Sequence, residues 1–455
     1  MKRIKWLAAA VSILLCWTPA PGSARADEVA LTIYSGDFAL VREIRTVTLS
    51  QGRESVRFAD VAGQIDPTSV QIRSLTAPEK VSILEQNYEY DLVDSHRLLQ
   101  KYLDRDIRLM AKDERFFEGT LLSAANDLIL RDLSGQIKII KASEVQILEF
   151  PQLPEGLITR PTLVWLLESR RSGDHRLEVS YLTDAVDWHA EYVATVNKDD
   201  TRLDLGGWVS IDNRSGASYR DARLKLVAGD VHRAAPQPKV MEFMRADQAP
   251  MGMGVPQFEE EAFFEYHLYT LNRPATIADR QIKQLTLFPR TEVAVRKILT
   301  YDGRYSDAQV RVNLEFDNQQ QNGLGIPLPE GKLRVYKMDS DESLQFVGED
   351  LVKHTPRDET VRVFLGHAFD VVGERKQTQS RKLTDRSREE SYEIRIRNHK
   401  EESVEVIAVE TLRGDWTILR SSHEYRKKDA GTIEFPVRVA SGAEEVITYA
   451  VRFQW

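Results

Sequence analysis

Cysteine is nearly absent from this chain: Cys16 is the only one in 455 residues. It sits in an N-terminal segment that reads as removed on export, so the remaining chain has no disulfide, no thiol nucleophile and no cysteine metal site. Long apolar runs are also missing. Beyond the N-terminal segment no stretch of about eighteen apolar residues occurs, and no transmembrane helix is expected. Catalytic signatures are absent as well: there is no Gly-x-Ser-x-Gly elbow, Walker loop or dinucleotide fingerprint. The nine histidines form no His-x-His or His-Glu-x-x-His pair, so zinc has no spaced ligand set. A positive charge excess is lacking too. The formal net charge is -8, and a chain of that sign does not attract nucleic acid through its global field.

What is there begins with a basic start (Lys2, Arg3, Lys5), an apolar run from Leu7 to Trp17, a breaker cluster (Pro19, Pro21, Gly22) and Ala24-Arg25-Ala26. This is the order of a secretory signal peptide over residues 1–26, with cleavage expected after Ala26. Removing its four basic residues (Lys2, Arg3, Lys5, Arg25) takes the charge from -8 to -12. A periplasmic or secreted location follows, with large sheets that need no disulfide staples.

Alternation of period two dominates the rest. Val310, Val312, Leu314 and Phe316 alternate with Arg311, Asn313, Glu315 and Asp317. Tyr392, Ile394 and Ile396 repeat the pattern, as do Ile433, Phe435, Val437 and Val439, and then Ile447, Tyr449, Val451 and Phe453. Each run predicts a strand with one buried and one wet face. Turn signals such as Ser35-Gly36-Asp37, Asn322-Gly323 and Glu330-Gly331 separate the runs. The expected fold is mainly β, with several modules of antiparallel β-sandwich. An N-terminal β domain is expected over 27–93, continuing at 157–233, and a C-terminal sandwich region over 266–455.

Residues 94–152 differ. Asp94-Ser95 caps a short amphipathic helix carrying Leu98, Leu99, Tyr102 and Leu103. Five short strands follow, over 107–110, 116–122, 128–133, 136–140 and 145–150. A helix and five strands resemble a small inserted SH3-like or Sm-like barrel, with Gly119 where the second strand bends. Residues 234–265, with four prolines, the acidic trio Glu259-Glu260-Glu261 and four methionines, read as a loop or linker.

Several ordered phrases carry a family resemblance: Ser35 to Glu43, Val56 to Val61, Ile65 to Val70, Tyr181-Leu182-Thr183 with Asp187-Trp188, Tyr219 to Val231, Phe346 to Asp350, Gly366 to Val371 and Tyr449 to Trp455. Together they resemble an exported bacterial domain of unknown function that also occurs in mucoidy-inhibitor-A-like proteins. Those relatives carry a long coiled coil in the first half, whereas this chain has no sustained heptad there. The resemblance implies a β-rich exported protein and brings no catalytic residues.

Candidate sites are few. Met241, Met244, Met251 and Met253 offer thioethers of the kind that hold Cu(I), although a flexible apolar loop uses methionine in the same way. Phe258, Phe263, Phe264 and Tyr266, with Tyr269, crowd around the acidic trio and are candidates for an interaction patch, with core packing as the competing role. Asp339, Asp341 and Glu342 suggest a calcium loop, but Leu344 and Asp350 stand where it requires glycine and glutamate, so a hairpin turn is expected. The C-terminal alternation resembles the last strand of an outer-membrane barrel, yet strands such as 310–316 are too short for one, and a soluble sandwich is expected. The functional expectation is a non-enzymatic protein that binds or scaffolds at the cell envelope, with a periplasmic or envelope protein as partner and no cofactor. Two alternatives remain at this level: a hydrolase or metal-dependent enzyme whose site converges only in the fold, and Cu(I) binding.

Overall fold

The computed structural model describes residues 26–154, 157–233, 258–305 and 308–455. Residues 1–25, which include Cys16 and all but the last residue of the signal-like segment 1–26, and residues 234–257, which include Met241, Met244, Met251 and Met253, lie outside them. The chain is mainly β, with antiparallel and mixed sheets, none of which closes into a barrel. No helix among the described residues is long and apolar enough to cross a membrane. The fold divides into two compact units. One comprises Val41–Thr183 with the residues up to Val29 and Ser215–Ala217; the other comprises Ala30–Leu40, Asp184–Arg214 and Ser218–Trp455.

In the first unit, Thr162–Ser169 is the central strand of a three-stranded antiparallel sheet, between Gly52–Ala59 and Val81–Glu89. Its alternation buries Leu163, Trp165 and Leu167. Trp165 meets Phe58 edge-on, with ring centroids 4.9 Å apart, and its indole N–H donates to Gln86 Oε1 at 2.9 Å. A second layer pairs Gly173–Asp184 with Gln71–Ser74 and buries Leu177, Val179 and Tyr181. Arg45, on the strand Phe38–Leu49, lies between the layers and is only 4 % exposed. Its guanidinium donates to Glu43 Oε2 at 2.6 Å and to Ala59 O at 2.9 Å, and sits 4.8 Å from the Phe58 ring centre. Glu43 also accepts from the Tyr181 hydroxyl at 3.3 Å. A charge pair this deep keeps its place because each partner neutralises and hydrogen-bonds the other.

The same unit holds the predicted helix and five strands. The helix is Ser95–Lys101, capped by the Asp94 carboxylate, which accepts from Arg97 N at 2.8 Å. The strands are Asp106–Ala111, Phe116–Ser123, Leu128–Arg131, Ile137–Ile140 and Val145–Glu149, and the fifth returns to pair beside the first. Ile107, Leu109, Leu121, Leu128, Leu130 and Tyr102 form their core, with Leu98 and Leu99 of the helix against it. At Gly119 an added Cβ would come within 2.3 Å of Arg131 O, so only glycine permits this close strand approach. The outer strands Ile137–Ile140 and Val145–Glu149 are not paired to each other, so the module is an open sheet rather than a closed barrel. The two edge strands have four and five residues.

In the second unit, a five-stranded mixed sheet runs in the order Gln281–Ala294, Arg202–Asn213, Val186–Val196, Gly331–Met338, Leu344–Val352. Its Val186–Val196 and Gly331–Met338 strands are parallel. A nine-stranded sheet contains the long strand Thr360–Thr384, flanked by Gln309–Asp317 and Ser387–Asn398. Strands near both ends of that order, Glu444–Gln454 and Thr432–Val439, feed one core in which Phe435 and Tyr449 lie 5.5 Å apart. The sheet therefore folds over itself as a sandwich. The alternation predicted for 433–439 and 447–451 sends each apolar residue inward. On Gln309–Asp317 it is incomplete: Asn313 and Glu315, assigned to the wet face, are also buried. Asn313 is satisfied by Thr300 Oγ1 at 3.1 Å, and Glu315 by Arg296 and Arg362 from both neighbouring strands. Residues 339–343 form a hairpin turn whose Asp341 carboxylate accepts from Ser343.

Asp200, on the turn after Val186–Val196, joins two sheets of this unit by bonding Lys297 of Arg296–Tyr301 and Lys337 of Gly331–Met338. Burial pushes its carboxyl up, but the two ammonium groups outweigh this and hold it below the ordinary carboxylate range. The stabilisation is thus complete above about pH 4 and is lost as pH falls through the lowered folded value. Asp200→Asn should weaken folding at neutral pH and flatten the acid limb of an unfolding-versus-pH curve. An acid limb as steep as in the wild type would contradict this. For the buried pair, Arg45→Ala should cost about 3–5 kcal/mol in urea unfolding, because Glu43 is left charged and buried. The double change Glu43→Leu/Arg45→Met should cost much less.

Candidate functional site

The acidic and aromatic cluster singled out in the sequence folds as a β-hairpin in the second unit. Phe258–Phe263 is a strand, although the interval ending at residue 265 reads as a loop in sequence, and it pairs with Tyr266–Leu271 in register Glu260↔Tyr269 and Phe263↔Tyr266. Tyr266–Leu271 continues into Tyr219–Ala228 and then into residues 30–34, which lie parallel to it. Among the described residues Phe258–Phe263 has no strand partner on its other side and forms the sheet edge. The breaker-rich composition hid this strand, since three glutamates in a row carry little strand propensity.

Strand geometry splits the acidic trio. Glu259 and Glu261 face solvent, while Glu260 turns inward and is half-buried. Glu260 accepts from His267 Nδ1 at 2.8 Å and from Arg357 Nη2 at 3.0 Å. Beneath it Tyr269 is buried, donates to Pro327 O at 3.0 Å and lies 6.3 Å from Trp188. Burial first, and the Glu260 charge second, push the Tyr269 hydroxyl far above its ordinary range. This tyrosine is a neutral structural donor.

The aromatics divide in the same way. Tyr269 belongs to the core, and Phe258 and Tyr266 are half-buried. Tyr266 rests over Gly229, where an added Cβ would stand 2.5 Å from Cδ1. Phe263 is 55 % and Phe264 84 % exposed. Phe264 holds a left-handed backbone, φ 58°, at the two-residue turn. For a bulky side chain this conformation costs on the order of 1–3 kcal/mol, and such strain concentrates at functional positions. Among the described residues the hairpin therefore presents an unpaired strand edge, three exposed glutamates (Glu259, Glu261 and Glu265) and two exposed phenylalanines.

No group of three or more histidine, cysteine or acidic residues among the described residues is arranged to hold a metal ion. Several histidines instead serve local bonds: His175 is buried between Ser74 and Arg171 O, and His423 meets Glu445 at 3.1 Å. Residues 177–455, which hold the hairpin and the nine-stranded sheet, match the family described as Domain of unknown function (DUF4139). The chain belongs to the DUF4139 family. A search of curated proteins finds no match. The family match covers the second unit's long C-terminal stretch, so the hairpin lies within the DUF4139 domain and the small five-stranded sheet outside it.

Phe264→Gly removes the exposed ring and relaxes the backbone, so the melting temperature should hold or rise. A loss of more than about 1 kcal/mol would make Phe264 a packing residue. Glu260→Gln should instead destabilise by about 1 kcal/mol, since His267 and Arg357 lose a charged acceptor.

Proposed function

We propose that this DUF4139 protein is exported to the bacterial cell envelope, where it binds a partner protein and performs no chemistry of its own. The observation that carries the binding role is the exposed hairpin edge, Phe258–Phe263, with Phe263 and Phe264 held in solvent. An unpaired strand accepts a partner strand through main-chain hydrogen bonds, and the adjoining aromatics supply apolar contact area. The basic start, apolar run and Ala24-Arg25-Ala26 support export with cleavage after Ala26. The ordered phrases from Ser35 to Trp455 support kinship with mucoidy-inhibitor-A-like proteins, with the small five-stranded sheet in place of their coiled coil.

Crosslinking and affinity capture from periplasmic extract test the proposal, using the wild type, the Phe263→Ser/Phe264→Gly variant and a deletion of 234–265. The wild type should recover a partner that both altered proteins lose. Recovery of the same partner by all three would remove the hairpin from the interface. N-terminal sequencing of the exported protein should begin at Asp27.

A further inference from the structure

A second surface feature lies in the folded-over nine-stranded sheet, away from the hairpin. Four arginines, Arg304, Arg375, Arg388 and Arg413, line an open cavity of about 320 Å³ together with Tyr392 and Trp455. Arg375 forms its rigid side. Two of its N–H groups go to the buried Glu410 carboxylate, at 2.7 and 2.9 Å, and its guanidinium stacks 4.0 Å from the Tyr392 ring centre. Tyr449 donates to the same carboxylate at 2.6 Å, so the support beneath Arg375 is fully bonded. Arg388 meets Glu390 at 3.3 Å and lies 5.8 Å from the Trp455 ring centre. Arg304 donates to Thr411 O. Arg413 is exposed and has no hydrogen-bond or ion-pair partner among the described residues.

The charge here runs against that of the chain. Among the described lining residues four guanidinium groups share the cavity with one carboxylate, Glu390, while Glu410 backs Arg375 from the core, in a protein whose formal net charge is -8. Arginine forks match the paired oxygens of carboxylate and phosphate. The exposed face of Trp455 suits the apolar face of a sugar ring, and the cavity volume suits one ring with its substituent. We propose that this cavity binds a monosaccharide-sized ligand carrying an oxyanion, phosphate or carboxylate, with Arg304 and Arg413 closing on the anion that Arg375 and Arg388 orient.

Calorimetric titration of the full chain tests this with glucose 6-phosphate, glucuronate, inorganic phosphate and uncharged glucose. At least one of the two charged sugars should bind more tightly than phosphate alone, weaken with added salt, and outbind glucose. Their difference separates the phosphate from the carboxylate source. Arg413→Ala and Arg304→Ala, both at exposed positions, should each raise Kd by about tenfold or more, Arg413→Ala without changing the melting temperature. Binding of neither charged sugar, equal binding of glucose, or unchanged affinity in both variants would overturn the proposal. Partner capture by the hairpin is read separately, so failure of one leaves the other standing.

Discussion

Placing carboxylates inside stacked strands without leaving any charge alone is the constraint on which this structure rests. Glu43, Glu178, Glu315 and Glu410 are all buried, and each is met by arginine: Arg45, then Arg42 with Arg73, then Arg296 with Arg362, then Arg375. Burial alone would push the Glu178 carboxyl up, yet the two guanidinium groups win and hold it below the ordinary range. Each arginine comes from the same strand or from a strand near it in the fold, so the pairs join neighbouring strands and layers. In a chain whose one cysteine lies in its signal-like segment, these pairs and the apolar cores provide the cross-links that disulfides would otherwise make.

That constraint explains what was legible in the sequence. Alternation exposed the apolar half of each strand, and Ile433 to Val439 and Ile447 to Val451 pack as the pattern demands. The helix and the five strands over 94–152 were readable because the cap at Asp94 and the turn spacing are local signals. Burial of Glu315 was not readable: a glutamate among strand residues looks solvated until Arg296 and Arg362 are known to lie beside it. Barrel closure was equally hidden, since it depends on whether two edge strands meet.

The sites follow the same division. The aromatic cluster could be found because its members are adjacent in sequence, although only strand pairing separates the exposed Phe263 and Phe264 from the buried Tyr269. The arginine cavity gave no sequence signal. Its residues come from five separate segments, and arginine is common among the polar positions of the strands. Met241 to Met253 lie outside the described residues, and their chemistry rests on sequence alone.

The parallel pair between Val186–Val196 and Gly331–Met338 sets a condition on how the molecule forms. Ala190 lies opposite Gly331, and in the nine-stranded sheet Leu299 lies opposite Val406. Neither contact can form until most of the chain has been made, and contacts so distant in sequence slow the search for the native state. Strands such as Val186–Val196 must therefore wait with one edge open while their partners emerge. Until Gly331–Met338 arrives, that open edge of Val186–Val196 is free to pair wrongly, and the hazard ends only when the parallel ladder closes over it.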